Sequence, residues 1–118
     1  MADGFLTTHI LDTARGCPAA GVHITLFRID GDKRVQMVTK ITNGDGRTDS
    51  PILPKGEMRV GTYELVFEIG AYFKGHAPKS DHPFIDTVPI RFGIDDENDH
   101  YHVPLLASPF SFSTYRGS

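Results

Sequence analysis

Of the six histidines in this 118-residue chain, three stand where imidazole chemistry is possible. His100 and His102 flank a single residue in the run His100-Tyr101-His102-Val103-Pro104-Leu105. Successive side chains of a strand point to opposite faces, so both imidazoles leave one face while Tyr101, Val103 and Leu105 form the core face. His9 lies in Leu6-Thr7-Thr8-His9-Ile10-Leu11, where Leu6, Thr8 and Ile10 share the inward face and His9 falls with Thr7 on the other. Imidazole titrates near neutrality and serves as proton donor or acceptor. Two histidines at i, i+2 with a third from another strand are also a ligand spacing for zinc. No Asp, Glu or Cys ligand accompanies them, so neither a metal nor another cofactor is expected. An outward histidine on a strand is commonly just solvated, and from spacing alone that reading stays open.

Two further features draw attention. Arg47 follows the turn Asn43-Gly44-Asp45-Gly46 and is displayed by a tight loop, where an arginine is most often a surface charge. The stretch Asn43–Asp49 has the look of a calcium loop but lacks a Glu at the twelfth position, so a hairpin turn is the expectation. The segment Tyr115-Arg116-Gly117-Ser118 continues a β-patterned stretch with aromatic, cationic and hydroxyl groups where terminal residues are usually nondescript. A terminus of that composition is expected to be built into a site.

The elements that must position these residues are almost all strands. Alternation marks Phe5–Leu11, Val22–Ile29, Val35–Thr42, Gly61–Ile69, Phe84–Ile94, His100–Leu106 and Phe110–Arg116, with a short extended piece at Pro51–Leu53. Gly16-Cys17-Pro18 and Gly31-Asp32 read as turns. Pro89 removes a ladder donor and places its strand at an edge or a bulge. Ala71–Lys74 predicts one or two helical turns, and no longer helix is expected. Seven or eight short strands at this spacing predict one all-β domain over residues 1–118, a sandwich of Greek-key type.

Composition narrows the function. Apolar residues at 39% and charged residues at 23% are ordinary for a soluble globular chain, and a net charge of −3 gives no basic surface for nucleic acid or anionic membrane. No apolar run is long enough to span a bilayer, and Met1-Ala2-Asp3-Gly4 lacks the basic and apolar regions of a secretory signal. Cys17 is the single cysteine, which excludes an intrachain disulfide and makes a reducing compartment, hence the cytoplasm, the expectation. Neither a G-x-G-x-x-G nor a G-x-S-x-G sequence occurs, which removes simple nucleotide-binding and nucleophile-elbow readings.

Taken together, His9-Ile10-Leu11-Asp12, Gly16-Cys17-Pro18-Ala19 and Val22-His23-Ile24 resemble the N-terminal signature of the transthyretin family. Tyr101-His102-Val103-Pro104-Leu105-Leu106-Ala107-Ser108-Pro109-Phe110-Ser111 resembles its C-terminal signature. The similarity runs the length of the chain. His9, Arg47, His102 and the ending Tyr115-Arg116-Gly117-Ser118 are similar to the 5-hydroxyisourate hydrolase branch and unlike the hormone carriers. The resemblance implies a transthyretin-like sandwich of two four-stranded sheets with one short helix, assembled as a homotetramer through edge strands around a central channel.

It also implies hydrolysis of the N1–C6 ring amide of 5-hydroxyisourate to 2-oxo-4-hydroxy-4-carboxy-5-ureidoimidazoline in urate degradation. In that reading His9 and His102 share the acid and base roles. Arg47 binds substrate carbonyls and stabilises the oxyanion, and Ser118 hydrogen-bonds water or substrate through its hydroxyl or its terminal carboxylate. Tyr115, Arg116 and Gly117 would shape the substrate pocket, with Arg116 tethering the tail by an ion pair. The alternative is a non-catalytic transthyretin-like carrier of a small molecule, against which two histidines and an arginine argue. A zinc-dependent sandwich is a third reading.

Overall fold

The computed structural model describes residues 3–76 and 81–117 as two four-stranded sheets packed face to face. In chain order the elements are β1 Phe5–Asp12, β2 Cys17–Pro18, β3 His23–Asp30, β4 Lys33–Ile41, β5 Gly61–Glu68, α1 Ile69–Lys74, β6 Thr87–Ile94, β7 His100–Ala107 and β8 Phe112–Thr114. One sheet runs β2-β1-β7-β8 and the other β4-β3-β5-β6. The all-β sandwich with one short helix is therefore the architecture of the chain.

Alternation puts Leu6, Ile10, Val103, Leu105 and Ala107 of the first sheet against Ile24, Leu26, Tyr63, Leu65, Phe67 and Val88 of the second, all buried. Each fully buried aliphatic or aromatic side chain contributes about 1.5–3 kcal/mol. Met58, Ile52 and Leu53 from the β4–β5 connection and Tyr72 and Phe73 from the helix close the ends of this core. Thr8 is a polar exception on the inner face, and its hydroxyl donates to the Val103 carbonyl at 2.7 Å.

The sheet holding the histidines is joined at its centre by a parallel pairing. β1 and β7 run side by side with Phe5 opposite His100, Thr7 opposite His102 and His9 opposite Pro104. Strands 88 residues and more apart in sequence thus share one outer surface. β6 is the edge of its sheet, as Pro89 requires, and Pro89 stands opposite Val66. β4 is the other edge. A register shift at Leu26/Phe27 leaves Met37 without an opposite residue, and Val35, Met37 and Ile41 are exposed.

Two local expectations are corrected. Cys17–Pro18 is not simply a turn but pairs with Leu11 and Asp12 as a two-residue strand. Asn43–Asp49 is not a hairpin turn. It carries the chain from β4 across to the other sheet, where Leu53 bridges Leu6. The terminal strand is shorter than alternation suggests: β8 ends at Thr114, and the tail returns to the sheet only where Gly117 bridges His102.

Candidate active site

The loop that displays Arg47 is held by one asparagine. The Asn43 side-chain oxygen accepts from the main-chain N–H of Asp45 at 2.9 Å and of Arg47 at 3.3 Å, while its amide donates to Asp49 at 2.9 Å. This is the local bonding that makes asparagine favourable in turns. Gly46 then fixes the loop to β1. Its carbonyl accepts from Ile10 N–H at 2.8 Å, its φ is +74°, and a Cβ there would collide with the Ile10 carbonyl oxygen. Only glycine permits that approach, one residue after His9.

The result is a cleft of about 360 Å³ between the outer face of the β1–β7 pair and the loop. His100, His102 and Thr7 form its floor, and Arg47, Thr48, Asp49, Ser50 and Pro51 its wall. Thr7 Oγ1 lies 2.7 Å from His102 Nδ1 and 2.7 Å from His100 Nε2. The two rings are 5.9 Å apart between centroids, and His100 stacks on Phe5 at 4.1 Å.

His9 is on the same face two residues further along β1, beside the loop. Partial burial and the Arg47 guanidinium lower its pKa from 6.5, opposed by a hydrogen bond to the Asp45 main chain and the charge of Asp45. His102 is lowered from the same value, first by burial, then by the positive charge of Arg47, His100 and His9. Both imidazoles are thus biased towards the neutral, proton-accepting form at neutral pH. His9, Arg47 and His102 come from three separate segments and meet within electrostatic reach of one another.

The tail residues divide. Gly117 N–H donates to the His102 carbonyl at 2.8 Å, and a Cβ on Gly117 would stand 2.6 Å from His102 Cδ2. The backbone therefore lies directly against the imidazole. Arg116 turns away. It donates to Asp99 Oδ2 at 2.8 Å, covers the Tyr101 ring at 4.1 Å, and holds the Asp99 carboxyl below its ordinary range. Tyr115 and Arg116 line a separate groove with Ile90, Phe92 and Val103. Ser118 lies outside the described residues. Thr7 and the loop segment Thr48–Pro51 were not singled out in the sequence. Thr7 carried a weak signal, since it shares the outward face of β1 with His9.

Among the described residues, no three His, Cys, Asp or Glu side chains are gathered to hold a metal ion. Thr7, not a third ligand, stands between His100 and His102. No helix of the described residues is long and apolar enough to cross a membrane.

An eight-stranded sandwich with an imidazole–guanidinium cleft on the outer face of one sheet defines a class of protein, and comparison with known proteins bears on which. The chain belongs to the HIUase/Transthyretin family, whose pattern it matches over residues 6–117. It is 54% identical over 113 residues to the 5-hydroxyisourate hydrolase of Deinococcus radiodurans, covering 96% of this chain and 95% of that protein. Among solved structures, it superposes on the 5-hydroxyisourate hydrolase of Klebsiella pneumoniae with a TM-score of 0.79 and 36% identity, covering 97% of this chain and 99% of that one. The crystal structure of (S)-allantoin synthase gives a TM-score of 0.92 and 51% identity over 99% of this chain, which spans 44% of that longer chain. Sea bream transthyretin in complex with thyroxine gives 0.84 at 26% identity, covering 95% of this chain and 93% of that one.

Proposed function

We propose that this chain hydrolyses 5-hydroxyisourate, opening the N1–C6 ring amide to give 2-oxo-4-hydroxy-4-carboxy-5-ureidoimidazoline. The observation that carries the reading is that Arg47 and His102 line one cleft, with His9 on the same sheet face and within electrostatic reach of both, in a chain 54% identical, nearly end to end, to a 5-hydroxyisourate hydrolase. Amide hydrolysis needs a base for water, stabilisation of the oxyanion and an acid for the departing nitrogen. His102 and His9, held neutral by burial and by Arg47, supply the proton acceptor and donor. Water loses a proton to one imidazole as its oxygen adds to C6. The tetrahedral intermediate then expels N1 as that nitrogen gains a proton, so the proton taken at the first step is returned at the second.

Arg47 is placed to bind the oxygen-rich heterocycle through its planar fork and to stabilise the oxyanion. Gly117 brings the tail against His102, and to Ser118, the next residue, we assign a hydroxyl that hydrogen-bonds water or substrate. Tyr115 and Arg116 act less directly than the sequence suggested, since they line the separate groove. Arg116 anchors the tail through Asp99.

We extend the proposal to the cytoplasm, a reducing compartment that suits the lone free Cys17, and to a homotetramer. Its support is surface chemistry: Phe110, Phe112 and Tyr115 are exposed beside β8, and the apolar groove that Tyr115 lines joins the exposed edge of β6 to that of β8. Unpaired strand edges beside apolar side chains favour association.

The test is the near-ultraviolet decay of 5-hydroxyisourate generated in place from urate and urate oxidase, with and without the protein, in the presence of a strong chelator. Fast decay with chelator present is expected. Decay at the spontaneous rate, with saturable binding of an aromatic ligand, would replace hydrolysis by the carrier reading. Decay abolished by the chelator would favour the zinc reading.

A further inference from the structure

We infer that Thr7 is a positioning residue whose hydroxyl couples His100 to His102 and fixes which nitrogen of His102 is basic. The inference rests on the proposed role of His102 and deepens it. One hydroxyl stands 2.7 Å from Nδ1 of His102 and 2.7 Å from Nε2 of His100. A hydroxyl has one proton and two lone pairs, so it donates to only one of the two nitrogens. The other ring must present an N–H to it. The tautomers of the two histidines are therefore not independent.

Of the two one-way arrangements, one suits a base. When His102 carries its proton on Nδ1 and donates it to Thr7 Oγ1, the Thr7 hydroxyl donates onward to His100 Nε2. Nε2 of His102 is then bare and available to water. In the reverse arrangement Nε2 of His102 is protonated and the ring cannot accept a proton there. His100 is well suited to the terminal position in the chain. Its ring is stacked on Phe5 at 4.1 Å with an interplanar angle of 11°, a contact it loses by swinging away from Thr7. A second-position hydrogen bond that fixes tautomer and ring angle is the role a carboxylate plays in many histidine sites. Here a hydroxyl and a second imidazole take that role.

The coupling also spreads charge. Protonation of His102 at Nε2 by water allows its Nδ1 proton to pass to Thr7 as the Thr7 proton passes to His100 Nε2. One proton enters from water, the hydroxyl is regenerated, and the positive charge rests on His100. The titratable and charged groups facing this chain are Arg47 and Asp49 from the loop, His9 from β1, Asp99 beside His100 with its ion-pair partner Arg116, which also reaches the His100 carbonyl, and Lys55, whose ammonium lies 5.7 Å from the centre of the Phe5 ring.

Nitrogen-15 NMR of the histidine rings above pH 7.5, with resonances assigned through single histidine variants, reads the tautomers directly. The expected result is Nδ1–H for His102 and a bare Nε2 in the native protein, retained in Thr7→Ser and replaced by a tautomer mixture in Thr7→Val. Turnover should follow: kcat falls roughly 10- to 100-fold in Thr7→Val with KM nearly unchanged, and Thr7→Ser restores most of it. The native spectrum decides even if Thr7→Val does not fold. An Nε2–H tautomer of His102 in the native protein overturns the inference, as does an unchanged tautomer and rate in Thr7→Val. A native protein with the Nδ1–H tautomer but without turnover of 5-hydroxyisourate would leave the coupling intact and remove the hydrolase reading instead.

Discussion

The two ends of the β1–β7 pair put polar side chains to opposite uses. At the Asp12–Ala107 end, Asp12 is fully buried and each carboxylate oxygen is occupied. Oδ1 accepts from the N–H groups of Ala14 and Arg15 at 3.0 Å each, and Oδ2 accepts from the Tyr72 hydroxyl at 2.7 Å. Burial first, and then the bond to Asp12, push the Tyr72 phenol up to about 12, so it stays a neutral donor at any physiological pH. At the Phe5–His100 end, Thr7, His9, His100 and His102 line or border an open cleft, and the two shifted imidazoles are moved away from, not towards, the charged state. Saturated polar groups hold a corner of the fold, while groups with protonation left to exchange do chemistry. The same pair of strands supports both because β1 turns a carboxylate inward only at its end, at Asp12, and carries Thr7 and His9 outward along its middle.

If that contrast is right, substitutions at the two ends separate rate from stability. The largest effect is expected for His102→Ala, which should lower kcat/KM by roughly 10²- to 10⁴-fold while the thermal midpoint changes little. Comparable loss of stability would place His102 with Asp12 as a structural residue. Arg47→Gln comes next, with a loss of roughly 10²- to 10³-fold from the missing oxyanion contact. It also has a pH signature. Arg47 lowers the pKa of both His9 and His102, and activity requires an unprotonated imidazole. The acidic limb of the native kcat/KM profile should therefore lie below pH 6.5 and move upward in Arg47→Gln. A limb that stays in place would disconnect Arg47 from the histidines.

Gly117→Ala should be milder: the new methyl would stand 2.6 Å from His102 Cδ2, so the ring or the tail must shift to admit it. A roughly tenfold fall in kcat with unchanged stability is expected, equivalent to about 1.4 kcal/mol of misplacement in the transition state. Tyr72→Phe is the smallest in rate and the reverse in kind. It deprives a buried carboxylate oxygen of its donor and should cost about 1–3 kcal/mol in chemical denaturation, with kcat unaltered. Lost turnover there would mean the Asp12 corner communicates with the cleft.

How much of this was legible in the sequence follows from the range of the interactions. Inward and outward faces of β1 and β7 depend only on a period of two, and Leu6, Thr8, Ile10, Tyr101, Val103 and Leu105 fall where alternation puts them. Pro89 announced its edge strand for an equally local reason. The register that sets Thr7 opposite His102 depends on a parallel pairing across the whole chain, which no local pattern encodes. The path of Asn43–Asp49 misled for the same reason. Its residues do make a turn, Gly46 N–H donating to the Asn43 carbonyl at 2.9 Å, but whether a turn makes a hairpin depends on the sheet the chain meets next. The assignment of the chain to the hydrolase branch came instead from resemblance at His9, Arg47, His102 and the tail. In the tail, the four consecutive residues separate into Gly117 at the imidazole and Arg116 on Asp99 only when the chain is folded, with Ser118 beyond the described residues.

The most direct measurement is the initial rate of 5-hydroxyisourate decay with native protein and His102→Ala at equal concentration, above the pH at which either shifted histidine titrates. Rapid decay with the native protein and near-spontaneous decay with the folded variant is the predicted result. Equal rates for the two, whether both fast or both spontaneous, would contradict hydrolysis at this cleft.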